Sequence, residues 1–143
     1  MSCGEPGPML VVDAGCLFEV VASTPAAPPV RERLAADEDQ VAPHLVDVEV
    51  FGVIRKQHEL GRLDRTAAQQ AVEDLHDWPG ERVGHRPLLQ RAWDLRATVR
   101  GSDAMYVALA EAMGATLLTT DARLARAHGP RCSIVVVPAS EPM

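Results

Sequence analysis

Four acids stand where a solvated carboxylate is out of place. Asp13 directly follows the apolar run Met9–Val12, and Asp121 directly follows the short run Thr116–Thr120. Asp103 stands after Ser102 at the start of a strongly helical stretch, and Glu49 is set between Val48 and Val50. A buried carboxylate must be paired, protonated or bound to a cation, because burying it alone costs too much. Each acid by itself has an ordinary reading as a helix cap or surface charge. Together they suggest a site. Like charges disfavour one another's ionised form, so a cluster of four calls for cations. Oxygen-only ligands favour hard divalent ions, Mg²⁺ or Mn²⁺. Such an ion suits phosphoryl chemistry, since it acidifies water, polarises phosphate and stabilises a leaving oxygen. Ser102 and Thr119 are placed to support these carboxylates by hydrogen bonding.

The elements that must position the acids alternate between helix and short strand. Strands are expected at Met9–Val12, Gln40–Ala42, Glu81–Gly84, Thr116–Thr120 and Ile134–Val137, from short β-branched or apolar runs bounded by turn residues. Helices are expected at Ala14–Val21, Val30–Ala36, His44–Gln57, Thr66–His76, Pro87–Val99, Ser102–Met113 and Ala122–His128. Ser23–Pro29 reads as a broken turn, and Asp37-Glu38-Asp39 as a solvated loop. The helix with Glu49 is apolar on nearly all sides and should be largely buried. Ser102 reads as the N-cap of its helix and Gly114 as its end.

This alternation implies an α/β three-layer sandwich with a mainly parallel sheet. Ligands in such folds bind at the carboxyl ends of the strands. Asp13 and Asp121 follow strands, so they lie at that edge. Asp103 begins a crossover helix, whose N-terminus lies at the same edge. Glu49 is about five residues into its helix, roughly 7–8 Å from the edge at about 1.5 Å per residue.

The chain has 143 residues, enough for one domain with a real core. Residues 1–8 read as a disordered lead-in without signal-peptide character, 9–138 as the domain and 139–143 as a tail. No apolar run is long enough to span a membrane. Cys3, Cys16 and Cys132 show no metal or redox spacing, which fits reduced thiols in a cytoplasmic protein. The net charge of −6 argues against nonspecific polyanion binding, but 13 of the 14 basic residues are Arg, the better partner for phosphate. Arg55, Arg86 and Arg100 are candidates for holding a phosphodiester backbone. Trp78 and Trp93 can stack bases, although core or interface anchoring is the simpler reading. The five histidines show no ligand spacing.

Several segments resemble the PIN domain, specifically VapC-type toxins of bacterial toxin–antitoxin modules. They are Val11-Val12-Asp13-Ala14, Leu45-Val46-Asp47-Val48-Glu49-Val50 with Ile54-Arg55, the helix from Asp103 to Glu111, and Leu118-Thr119-Thr120-Asp121-Ala122-Arg123-Leu124. The resemblance covers roughly residues 9–137. It implies that Asp13, Glu49, Asp103 and Asp121 are the acidic quartet and Thr119 a supporting hydroxyl. It also implies an endoribonuclease dependent on Mg²⁺ or Mn²⁺ that leaves a 5′-phosphate and a 3′-hydroxyl. Transfer or ribosomal RNA would be the substrate. A homodimer and a small VapB-type antitoxin that blocks the site are implied too. Two positions depart from the pattern. Gly15 stands where the family usually carries Ser, Asn or Thr, and Ser102 where it often carries an aromatic residue. The loss of a hydroxyl at Gly15 makes an alternative function thinkable: a weakly active or inactive metal-binding module that works through partner binding.

Overall fold

The computed structural model describes residues 9–36 and 39–138. The expected lead-in at 1–8, the tail at 139–143 and two residues of the acidic loop, Asp37 and Glu38, lie outside them. Five strands, β1 (Met9–Val12), β2 (Asp39–Pro43), β3 (Glu81–Val83), β4 (Thr116–Thr119) and β5 (Ile134–Val136), form one sheet. Its order is β3-β2-β1-β4-β5 and every pairing is parallel. Val11 pairs with Val41 on one side and Leu117 on the other. Leu10, Val11, Val12, Leu117 and Leu118 are fully buried, as expected for central strands covered on both faces.

The helices are α1 (Ala14–Val21), α2 (Ala27–Leu34), α3 (Leu45–Glu59), α4 (Arg65–Asp77), α5 (Leu89–Asp94), α6 (Asp103–Met113) and α7 (Ala122–Arg126). Helices α1, α3 and α4 pack on one another, while α5 packs on α6, which in turn lies on β1, β2 and β4. The result is the three-layer α/β arrangement that the alternation implies. Gly114 closes α6 with a left-handed φ of 62°, a conformation glycine adopts without steric cost.

Three expectations are corrected. Helix α2 starts at Ala27 rather than Val30, because Pro28 and Pro29 fall in its first turn, where a missing N–H costs nothing. The expected helix Pro87–Val99 is a 3-10 turn at Arg86–Leu88, then the short α5, then successive turns. The pitch tightens where the Leu95 N–H reaches both Arg91 and Ala92 carbonyls. Helix α3 is not buried all round: Val46, Val50 and Ile54 face the core, whereas Val48 is 73% and Phe51 53% exposed. Among the described residues no helix is long and apolar enough to cross a membrane.

Candidate active site

Asp13 leaves β1 with its N–H bonded to the Leu118 carbonyl of β4, which anchors it between the two central strands. Its Oδ1 accepts the Cys16 N–H at 2.9 Å, capping α1, and its Oδ2 accepts the Thr119 hydroxyl at 2.5 Å. Thr119 is fully buried and also accepts the Asp121 N–H at 3.0 Å. One hydroxyl therefore ties the ends of β1 and β4 together. Burial pushes the Asp13 carboxyl above its ordinary range; the hydrogen bonds from Thr119 and Cys16 oppose that, and the charge of Glu49 adds to it.

Asp103 is the first residue of α6 and half-buried. Desolvation raises its carboxyl, and the charges of Asp13, Asp121 and Glu49 raise it further against the pull of Arg100. The four acids are thus close enough to feel one another. Asp121 caps α7 through the Arg123 N–H at 2.9 Å and also meets Arg123 Nε at 3.4 Å. Arg100, Asp103, Asp121 and Arg123 line one cleft of about 260 Å³.

Glu49 comes from the opposite helical layer. Its Oε2 accepts the Ser102 hydroxyl at 2.7 Å and its Oε1 the Tyr106 phenol at 2.6 Å. Ser102 occupies the N-cap position of α6, but its side chain makes no capping bond and serves Glu49 instead. Tyr106 is buried, and burial with the neighbouring carboxylate pushes its phenol up, so it stays a donor at neutral pH. Asp47, in the first turn of α3, is instead paired in two places with Arg82.

The remaining residues singled out above divide. Arg100 borders the acidic cleft, and Arg86 is exposed just beyond the carboxyl end of β3. Arg55 lies far along α3, away from the strand ends, pairs with Glu59 at 3.1 Å, and lines a separate groove against α4. Trp78 is buried and donates to Gln40, whereas Trp93 is 61% exposed and so is no core anchor. Tyr106 and Arg123 were not singled out from sequence. Their signals are spacings: Tyr106 is one turn after Asp103, and Arg123 two residues after Asp121. At Gly15, an added Cβ would stand 2.5 Å from Thr120 Oγ1 and 3.5 Å from Asp13 Oδ1. The Thr120 side chain already fills the space that a residue-15 side chain would need.

Among the described residues no three His, Cys, Asp or Glu side chains are closed around a single point. Glu49 is turned to its hydroxyl donors and Asp13 to Cys16 and Thr119. The donor set is nevertheless all oxygen, and its like charges raise one another's proton affinity, which fits a hard divalent cation.

A parallel sheet with acids gathered at its carboxyl edge is the class of protein defined by this fold and site. The PIN domain model matches residues 10–130, and the chain belongs to that family and, within it, to the VapC ribonucleases. It is 36% identical to ribonuclease VapC12 of Mycobacterium tuberculosis over 129 residues, covering 90% of this chain and 99% of that protein. Ribonuclease VapC3 of the same species is 40% identical over 124 residues, covering 86% and 90%. Among solved structures, PAE2754 from Pyrobaculum aerophilum superposes with a TM-score of 0.65 at 24% identity, covering 89% of this chain and 83% of that one. VapBC2 from Rickettsia felis, bound to a promoter DNA fragment, superposes at 0.64 with 14% identity, covering 90% and 98%. These two likenesses concern the fold.

Proposed function

We propose that this VapC ribonuclease is a toxin endonuclease that uses Mg²⁺ or Mn²⁺ to hydrolyse RNA and is held in check by a VapB-type antitoxin. The observation that carries the reading is the meeting of four acids at one sheet edge: Asp103 and Asp121 line one cleft, Thr119 joins Asp13 to Asp121, and Ser102 beside Asp103 holds Glu49. Asp13, Asp103 and Asp121, with Glu49, would hold the cation, which when bound supplies an acidified water and neutralises phosphate charge.

The chain's own residues do the rest. Thr119 fixes Asp13, and Ser102 with Tyr106 fixes Glu49. Arg100 and Arg123, on the rim of the cleft, bind the phosphate oxygens. Water adds to phosphorus in line, the bond from phosphorus to the 3′ oxygen breaks, and that oxygen leaves with a proton. The products are a 5′-phosphate and a 3′-hydroxyl. Transfer or ribosomal RNA in the cytoplasm is the substrate, and the toxin works as a homodimer. The exposed apolar face of α3, with Val48 and Phe51 beside a groove of about 520 Å³, supports antitoxin docking.

The reading as an inactive binding module rested on Gly15. Thr120 brings a hydroxyl to that same space, so this position no longer argues against catalysis. The test is cleavage of cellular RNA by antitoxin-free protein, with the new ends sequenced. Activity is expected only with Mg²⁺ or Mn²⁺, and Asp103→Asn should abolish it. Cleavage that persists in excess EDTA would overturn the metal-dependent mechanism.

A further inference from the structure

Trp93 is 61% and Leu89 51% exposed in a chain with only two tryptophans, so the exposure of Trp93 needs a reason. The guanidinium of Arg96 lies 4.3 Å from the Trp93 ring centroid and is tied back by a 2.9 Å bond to the Trp93 carbonyl. The ring is thus held in place while its free surface remains open. Leu89, Trp93 and Arg96 follow one another at helical spacing, the turns after α5 continue the winding through Val99, and Arg100 comes directly after them. All four are exposed. The stripe runs into the acidic cleft, because Arg100 lines that cleft together with Asp103 and Asp121.

Charge indicates what the stripe receives. Residues 86–100 contain four arginines, Arg86, Arg91, Arg96 and Arg100, and one acid, Asp94, which accepts a bond from Gln90. That is a strongly positive segment in a chain of net charge −6. Arg91 is occupied by Glu111, leaving Arg86, Arg96 and Arg100 toward solvent. On the exposed face of α3, Val48 and Phe51 lie near Arg55, but that arginine is paired with Glu59, so the two surfaces suit different partners. An aromatic ring flanked by arginines matches a single nucleic-acid strand: every base has a stacking face, and every linkage has a phosphate.

We propose that the Leu89–Trp93–Arg96–Arg100 stripe is the platform along which single-stranded RNA reaches the cleft. One base stacks on Trp93, and flanking phosphates sit on Arg96 and Arg100. This rests on the ribonuclease reading and specifies where the substrate lies outside the acids.

Because Trp78 is buried and Trp93 exposed, tryptophan emission reports on the stripe directly. The probe is a mixed-sequence single-stranded RNA of about twelve nucleotides, titrated into full-length Asp103→Asn protein, which binds without cutting. Emission should be quenched on binding. Adding Trp93→Ala should weaken binding about ten-fold, while Trp93→Phe should hold it near the parent value. Arg96→Gln should reduce the salt slope of binding by about 0.7, the loss of one phosphate contact. In the otherwise wild-type enzyme, Trp93→Ala should raise KM and leave kcat unchanged. Quenching without RNA as protein concentration rises, with Trp93→Ala giving a smaller species by light scattering, would show that a second copy covers the stripe and would overturn the proposal. Equal RNA affinity and KM with and without the Trp93 ring would overturn it while leaving the ribonuclease reading intact. If the wild-type protein neither binds nor cuts RNA, that reading falls first and the platform falls with it.

Discussion

The Tyr106 hydroxyl donates to Glu49 Oε1 at 2.6 Å, joining α6 to α3 across the acidic edge. Ser102, one turn earlier, holds the other carboxylate oxygen at 2.7 Å. Asp103 lies between these two donors in sequence. A single turn of α6 therefore supplies one acid and sets the position of another.

That relationship makes Tyr106 a positioning residue. Tyr106→Phe keeps the ring in the core and removes only the bond to Glu49. A hydrogen bond to a charged group contributes about 1.5–3 kcal/mol, so the rate at saturating Mn²⁺ should fall at least about ten-fold. Adding Ser102→Ala should lower it further. Steady-state kinetics with thermal melts check both effects; an unchanged rate in the double variant would remove Glu49 positioning from the mechanism.

Gly15 and Thr120 share one space. Gly15→Ala should destabilise the fold by about 1–3 kcal/mol, the usual cost of overpacking. Gly15→Ala/Thr120→Ala should recover most of that loss, because only the Thr120 hydroxyl stands at 2.5 Å and its Cβ lies at 3.7 Å. Urea denaturation of the four proteins closes the cycle. Simple additivity would show that the clash is relieved elsewhere.

The share of metal-free stability that Asp13 and Asp103 contribute should fall as pH rises, opposite in sign to that of Glu111, whose carboxyl, despite desolvation, is lowered by its bond to Arg91. Asp13 and Asp103 bind protons more tightly folded than unfolded, so the native state is favoured below the ordinary carboxylate range near 3.8. That advantage disappears as pH climbs from there through their raised folded values. Asp103→Asn removes the repulsion without titrating. Asp103 is only partly buried, so screening limits the gain to roughly 0.5–1 kcal/mol at pH 7. That corresponds to about 2–4 °C in Tm, and Mn²⁺ should no longer add its full stabilisation. Calorimetric scans in EDTA and in Mn²⁺ measure both.

The apolar face of α3 separates inhibition from catalysis. Phe51→Arg places a charge on the exposed groove without touching an acid. Antitoxin affinity should drop at least about ten-fold, as for a central anchor, while RNA cleavage by free toxin stays unchanged. Calorimetric titration with the cognate antitoxin tests this, and undiminished affinity would move the docking surface elsewhere.

Much of this arrangement was legible in the linear chain. Leu10-Val11-Val12 and Leu117-Leu118 read as buried strands because continuous apolar runs have few other places to go. Asp13 and Asp121 follow those runs, and their places at the strand ends come from chain connectivity alone. The start of α6 at Asp103 and its stop at Gly114 are local backbone preferences. What remained open was rotation and partnership. Helix α3 is apolar on several sides, so its sequence does not say which side faces in; packing against α1 and α4 turns Val48 and Phe51 out and leaves Glu49 toward α6. Ser102 has a good capping side chain, yet tertiary contact brings a carboxylate within its reach, and the hydroxyl goes to the charge. Trp78 and Trp93 are alike as residues, but only Trp78 finds Gln40 and a buried setting. Thr120 comes to lie over Gly15 because β1 and β4 pair in parallel register across 105 residues of chain. Sequence by itself determined which elements form and which acids sit at their ends, since those follow from local pattern and connectivity. Only the tertiary structure decided which hydroxyl holds which carboxylate, because that depends on how elements distant in the chain rotate against one another.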